Sequence, residues 1–164
     1  GLLNYKDNNQ PLELGNIYSK RDWGHALDYI EAMWLILQQD KPNDFVISTG
    51  KQYSVRDFIE MSANTLGVKI KFEGSNESEI GIVDSLERPE DTNLQEGDVI
   101  IKVDPRYFRP TEVENLLGDS SKAREKLGWT PKISTRDMCK EMIEHDLKIA
   151  KQKKSINDLD GKNH

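Results

Sequence analysis

A proline-containing stretch, DPRYFRPTEVE at residues 104–114, constrains the fold of this chain more than any other feature. Pro105 and Pro110 each fix φ at about −65° and disfavour helix at the preceding residue, which predicts a stiff loop. The loop presents Arg109, whose guanidinium can bind two phosphate oxygens at once. The same residues are also compatible with a surface loop whose arginines pair with neighbouring acids.

The segments on either side of this loop are predicted to be a strand and a short helix. Residues 98–103 (DVIIKV) form the clearest strand pattern in the chain. After the loop, Asp119 is a favourable N-cap residue and Gly128 lies where a helix commonly ends in a glycine. These two signals predict a helix over residues 119–127.

Further helices are predicted from apolar spacing and from capping signals. Apolar residues recur at helical spacing from Leu27 to Leu37, and Pro42 ends this pattern. Later helices begin at two capping boxes, in each of which a serine is followed three residues on by a carboxylate. These boxes are Ser54 with Asp57 and Ser134 with Asp137.

Short strands are predicted between the helices. They lie at residues 12–14, 45–47, 68–72 and 80–83. An acidic segment at residues 87–97 is expected to be a loop. The alternation of helices with short strands predicts an α/β or mixed α+β fold, with Trp34 and Trp129 in its core.

Composition excludes several classes of function. The 164 residues carry a net charge of −6, which argues against a general nucleic-acid binder. No apolar run approaches the roughly 18 residues needed to cross a membrane, and no signal peptide opens the chain. Cys139 is the single cysteine, so no intrachain disulfide can form, and a cytoplasmic location is expected. The three histidines are far apart, and no metal site is expected.

A second arginine motif precedes the first predicted helix. In KRDWGH at residues 20–25, Arg21 could bind a phosphate while Asp22 supports its guanidinium, or the two could form an ordinary surface pair. Arg21 and Arg109 could clamp a diphosphate if the fold brings them together, and the spacing leaves this open. His25 is interpreted as structural, and Cys139 as a buried, inert thiol.

Neither a GxGxxG turn after a strand nor a phosphate loop occurs in the chain. The chain is therefore not expected to hold a complete dinucleotide site.

Four segments carry a resemblance to a known family: LGNIYSKRDWGHALDY (14–29), DFVISTGKQYSVR (44–56), VDPRYFRPTEV (103–113) and GDSSKAREKLGW (118–129). They resemble the corresponding segments of the GDP-mannose 4,6-dehydratase family of extended short-chain dehydrogenases. The third string is specific to that family among nucleotide-sugar enzymes, and the first and last contain patterns shared more widely. The resemblance extends from about residue 12 to residue 151.

The resemblance implies an NADP-dependent lyase that converts GDP-mannose to GDP-4-keto-6-deoxymannose, the precursor of GDP-fucose and GDP-rhamnose. By the same resemblance, Arg21 and Arg109 contact the diphosphate. Gly15 and Asn16 lie beside the nucleotide, and Glu112 binds the ribose or the guanine.

The family's glycine-rich cofactor loop and its catalytic tyrosine and lysine lie upstream of the matched region. The resemblance therefore implies the C-terminal portion of a Rossmann-like fold without its N-terminal, cofactor-binding half. Residues 1–152 are expected to bind the GDP-sugar, and residues 153–164 to form a frayed tail. The chain alone is expected to bind no NADP and to catalyse nothing.

Two alternatives remain open at this point. The chain could be a stand-alone fragment that serves as a non-catalytic binding or interaction module. It could also be the corresponding half of a nucleotide-sugar epimerase. In either case a homodimer could cover apolar surface left by the missing N-terminal half.

Overall fold

The computed structural model describes residues 10–108 and 116–160, with only the backbone described for Asp91 and residues 154–160. The described residues form two compact units. Unit 1 contains residues 10–15, 60–108 and 139–160, and unit 2 contains residues 16–59 and 116–138.

Six strands and four helices are present in this part of the chain. In chain order they are β1 (Leu12–Leu14), β2 (Lys20–Arg21), α1 (Ala26–Leu37), β3 (Tyr53–Ser54), α2 (Val55–Thr65), β4 (Val68–Glu73), β5 (Ile80–Leu86), β6 (Val99–Val103), α3 (Ser121–Leu127) and α4 (Thr135–Asp160). Short 3₁₀ turns lie at Asn76–Ser78 and Pro89–Asp91. All four predicted helices are confirmed, and so are the strands predicted at 12–14, 68–72, 80–83 and 98–103, with small shifts of their ends.

Unit 1 is built on a four-stranded sheet in the order β1-β6-β5-β4. β1 runs parallel to β6, with Leu12 beside Ile101, and the other neighbouring strands are antiparallel. Apolar residues on the strands, including Val83 and Val103, are buried in the core of this unit. The end of β6 therefore lies beside the end of β1, and the turn that follows β6 begins at this edge of the sheet.

Unit 2 has a small two-stranded ribbon, β2 with β3, and an apolar core centred on Trp129. Trp129 is 1% exposed and packs with Ala32 and Ala123. The prediction that Trp129 lies in the core is confirmed. The same prediction for Trp34 is wrong, because that side chain is 59% exposed. Helix α1 carries apolar residues on two faces, and its spacing alone does not tell which face is buried.

The capping boxes predicted from the sequence are formed. At α2, the Ser54 hydroxyl donates to Asp57 (2.7 Å) and accepts from the Asp57 N–H (3.0 Å). Ser134 and Asp137 make the same exchange at α4, at 2.6 and 3.1 Å. His25 caps α1, since its Nδ1 accepts from the N–H of Leu27 at 3.2 Å. This structural role is the one expected for that histidine.

The strand predicted at residues 45–47 is not formed. Phe45 and Ile47 are half-buried against the Trp129 core, while Val46 is 52% exposed. Side-chain burial thus alternates as in a strand, but no neighbouring strand pairs with these residues in the described part of the chain. The prediction of a buried strand at residues 45–47 is therefore wrong.

Helix α4 extends to Asp160 and so includes residues for which the composition predicted a frayed tail. Cys139, on the same helix, is fully buried as expected. Within residues 10–108 and 116–160, no helix is long and apolar enough to cross a membrane.

Candidate functional site

The turn that follows β6 is held by the carboxylate of Asp104. The backbone N–H of Asp104 donates to the Leu14 carbonyl at 2.8 Å, which attaches the turn to the end of β1. Asp104 Oδ1 accepts from the backbone N–H of Arg106 at 2.8 Å, as aspartate does in tight turns. The N–H of Phe108 donates to the Asp104 carbonyl at 3.2 Å and closes the turn. Residues 104–108, the Asp104 turn, thus have a fixed backbone immediately before Arg109.

Arg106 supports this turn with its side chain. Its Nε donates to Asp104 Oδ2 at 2.9 Å, and its Nη2 donates to Glu13 Oε2 at 2.8 Å. These hydrogen bonds hold the pKa of the Asp104 carboxyl well below its usual range. The guanidinium is therefore engaged by two carboxylates of unit 1, Asp104 and Glu13, and supports the loop.

We expect Asp104→Asn to lower stability at neutral pH and to lose part of that effect by about pH 3. The depressed pKa of Asp104 in the folded chain means that its stabilisation is complete above the unfolded pKa of about 3.9 and fades as the pH falls below it. Urea unfolding at pH 7 and at about pH 3 measures the difference between variant and parent. Glu96→Gln, at an exposed position of unit 1, is the control. A difference that is equal at both pH values would contradict the assignment.

Gly15 lies against the Asp104 turn. A Cβ at this position would be 2.3 Å from the carbonyl oxygen of Tyr107, which is closer than atoms can approach. Packing alone therefore explains why residue 15 is a glycine.

The first two candidate residues of unit 2 are Asn16 and Arg21. Asn16 Oδ1 accepts from the N–H of Tyr18 at 2.9 Å in a local turn. Arg21 ends β2 opposite Tyr53 of β3, and its Nη1 donates to the Lys20 carbonyl at 2.7 Å. The ribbon thus fixes the backbone from which the Arg21 side chain extends.

Asp22 organises the loop between residues 48 and 52. Its Oδ1 accepts from the N–H (3.1 Å) and the hydroxyl (2.6 Å) of Thr49, and its Oδ2 accepts from the N–H of Gly50 at 2.8 Å. Gly50 has φ of +77°, which favours glycine. Local sequence patterns do not predict this contact, because Thr49 and Gly50 lie 27 and 28 residues from Asp22 along the chain.

The GDSSKAREKLGW motif has packing roles. The Ser120 hydroxyl donates to the Ser48 carbonyl at 3.0 Å, and the Ser48 hydroxyl donates to the Gly118 carbonyl at 2.8 Å. Lys122 Nζ donates to the Asp44 carbonyl at 2.8 Å. The motif thus anchors residues 44–48 within unit 2.

Three of the five predicted site residues lie in the described part of the chain. Gly15 belongs to unit 1, while Asn16 and Arg21 belong to unit 2. Arg109 and Glu112 lie outside the described residues, so a meeting of Arg21 with Arg109 stays a prediction.

Sequence reasoning passed over Gln52, which precedes β3. Its Nε2 is buried and has no hydrogen-bond partner among the described residues. The same part of the chain contains no cluster of three or more histidine, cysteine or carboxylate side chains that could hold a metal ion.

Comparison with known proteins matches residues 2–142 to the family model described as GDP-mannose 4,6 dehydratase. The GDP-mannose 4,6-dehydratase of Vibrio cholerae is 57% identical over 86% of this chain and 38% of its own length. The human protein of the same name is 48% identical over 83% of this chain and 34% of its own length. The chain thus spans little more than a third of these relatives.

Solved structures share the fold at low sequence identity. RMD from Pseudomonas aeruginosa, complexed with NADPH, is 18% identical with a TM-score of 0.58, covering 87% of this chain and 38% of that one. MoeE5, in complex with UDP-glucose and NAD, is 18% identical with a TM-score of 0.61, covering 91% and 40%. The predicted fold, part of a Rossmann-like short-chain dehydrogenase, is confirmed. The family match over residues 2–142 shows that the chain belongs to the GDP-mannose 4,6-dehydratase family.

Proposed function

We propose that this chain is the GDP-sugar-binding part of a GDP-mannose 4,6-dehydratase. The observation that carries the proposal is the family match over residues 2–142, which includes the family-specific string at residues 103–113. The geometry of the Asp104 turn supports it, because a turn fixed by Asp104 and Arg106 suits the presentation of the arginine that follows.

In this proposal two arginines bind the diphosphate. Arg109 follows the fixed Asp104 turn, and Arg21 extends from the β2–β3 ribbon. Gly15 and Asn16 lie beside the nucleotide, and Glu112 accepts from the ribose or the guanine. A fixed backbone at Arg21 and in the turn that precedes Arg109 reduces the conformational entropy that is lost on binding.

The residues present do not fit a nicotinamide cofactor. Pyrophosphate groups of such cofactors bind at open helix N-termini that follow glycine-rich turns. In three of the four described helices the first turn is already capped by a side chain, from His25, Ser54 or Ser134. Helix α3 follows Asp119, whose Oδ1 accepts from the N–H of Ser121. We therefore infer that the cofactor and the catalytic residues belong to the part of the family's fold that this chain does not span.

Calorimetric titration of the chain with nucleotide sugars tests the proposal. GDP-mannose is expected to bind at least about tenfold more tightly than UDP-glucose, a difference of about 1.4 kcal/mol. NADP is expected to show no binding, and incubation with GDP-mannose and NADP no turnover. Equal affinity for UDP-glucose would favour the epimerase-like alternative. A micromolar constant for NADP would contradict the assignment of the cofactor to another part of the fold.

A further inference from the structure

The carboxylate of Asp22 is engaged by the loop at residues 48–52. Its Oδ1 accepts from the N–H of Thr49 at 3.1 Å and from the hydroxyl of the same residue at 2.6 Å, and its Oδ2 accepts from the N–H of Gly50 at 2.8 Å. Hydrogen bonds to an ionised carboxylate are about twice as strong as neutral ones. Asp22 therefore holds the backbone next to Arg21 against this loop.

A second contact holds the next residue, Trp23. Its carbonyl accepts from the Thr135 hydroxyl at 2.9 Å, and its ring centre lies 5.0 Å from that of Phe58. Thr135 is buried and is the first residue of α4, whose N-terminus is capped by Ser134. The Thr135 hydroxyl is thus directed to another part of unit 2 while its neighbour caps the helix.

Strand pairing fixes the backbone on the other side of Arg21. Lys20 and Arg21 of β2 pair with Ser54 and Tyr53 of β3. A side chain that binds a ligand must be held within about 0.5 Å of its productive position by the hydrogen bonds of the residues around it. The contacts of Asp22 and the two residues that follow the ribbon therefore lie where support for Arg21 is needed.

We propose that Asp22 and Thr135 are positioning residues, which set the backbone from which Arg21 reaches the diphosphate of a GDP-sugar. This inference rests on the proposed function, because it requires that Arg21 contacts the diphosphate. Asp22 acts through the loop at residues 48–52, and Thr135 acts through the carbonyl of Trp23. Removing either contact should therefore affect binding only while Arg21 is present.

For Asp22, the direction of the effect separates positioning from simple electrostatics. Asp22→Asn removes a negative charge near the proposed diphosphate contact, which on charge alone should tighten the binding of an anion about twofold at a separation of about 8 Å in water. Asparagine also offers one acceptor oxygen in place of two, so a donor of Thr49 or Gly50 loses its partner. We expect the second effect to dominate, and Asp22→Asn to weaken GDP-mannose binding about three- to tenfold.

Thr135→Val keeps the shape of the side chain and removes its hydroxyl. In calorimetric titration it should weaken GDP-mannose binding about three- to tenfold, and Thr135→Ser, which keeps the hydroxyl, should restore the parent affinity. Thr65→Val is the matched control, because the Thr65 hydroxyl also donates to a backbone carbonyl, that of Met61 in unit 1, at 2.9 Å. Circular dichroism at the titration temperature checks that each variant is folded.

A double-mutant cycle with Arg21→Ala tests the route of the effect. Arg21→Ala alone should weaken GDP-mannose binding at least about tenfold, as loss of a charge-assisted contact does. In that background, Asp22→Asn and Thr135→Val should cause no further loss, because the side chain that they position is absent. A substitution that only loosened the fold would weaken binding by the same factor with or without Arg21.

Three outcomes would overturn the inference. The first is parent affinity, or tighter binding, in either Asp22→Asn or Thr135→Val when the variant is folded. The second is a loss of the same size in the Arg21→Ala background. Both outcomes leave the proposed function standing. The third is a parent chain that does not bind GDP-mannose, or an Arg21→Ala variant that binds it unchanged, and this outcome contradicts the proposed function as well. Should one of the two variants fail to fold, the other carries the test.

Discussion

Trp129→Ala is expected to lower the free energy of unfolding by about 3–5 kcal/mol, the usual cost of truncating a buried tryptophan. Trp129 is 1% exposed and packs with Ala32 and Ala123 in the core of unit 2. Its indole Nε1 also donates to the Asp28 carbonyl at 2.8 Å. Domains of this size are stable by only about 5–15 kcal/mol, so the variant should unfold readily.

Urea unfolding, followed by far-ultraviolet circular dichroism, measures this effect. Trp34→Ala is the matched control, because that side chain is 59% exposed and its removal should cost less than about 1 kcal/mol. The loss of unfolding free energy in Trp129→Phe should fall between the two, since phenylalanine keeps a smaller aromatic ring and loses the hydrogen bond to Asp28. A larger loss in Trp34→Ala than in Trp129→Ala would show that the core has been assigned to the wrong side of α1.

The contrast between these tryptophans shows how far the sequence could predict the fold. The capping boxes at Ser54 and Ser134 were predictable because each depends on residues three positions apart. The choice between the two apolar faces of α1 depends on contacts with Trp129, about a hundred residues away in the chain. Local spacing carries no information on such contacts.

In the candidate site too, contacts between residues far apart in the chain could not be predicted from local spacing. Arg21 could be singled out by residue type and by its position before a helix. The role of Asp22 could not, because it depends on the approach of Thr49 and Gly50 across the fold. A glycine at position 15 could equally have reflected a close approach of nucleotide or of protein. The carbonyl of Tyr107 supplies the second explanation.

The motifs behind the family resemblance differ in what they do. The widely shared GDSSKAREKLGW motif holds residues 44–48 in place within unit 2, through hydrogen bonds from Ser120 and Lys122. The family-specific string at 103–113 begins with the Asp104 turn and leads into Arg109. Substrate choice is therefore best tested at the second motif.

Arg109→Ala is expected to weaken the binding of GDP-mannose about 10- to 150-fold wherever the site is complete. A charge-assisted, bidentate contact to a diphosphate contributes on the order of 1.5–3 kcal/mol, and each 1.4 kcal/mol is about a factor of ten in affinity. Calorimetric titration of the parent and variant chains with GDP-mannose measures the loss. Arg109→Lys should recover part of it, since lysine keeps the charge and loses the planar fork.

Arg106→Ala separates this direct contact from support of the loop. Arg106 already donates to Asp104 and Glu13, so its removal should loosen the Asp104 turn and weaken binding much less than Arg109→Ala does. It should also lower stability at neutral pH, which Arg109→Ala should leave unchanged. A larger loss of GDP-mannose affinity in Arg106→Ala would assign the diphosphate to Arg106. If neither variant changed the affinity, the stretch at residues 104–114 would serve the fold alone, and Arg21 would be the remaining candidate for the phosphate contact.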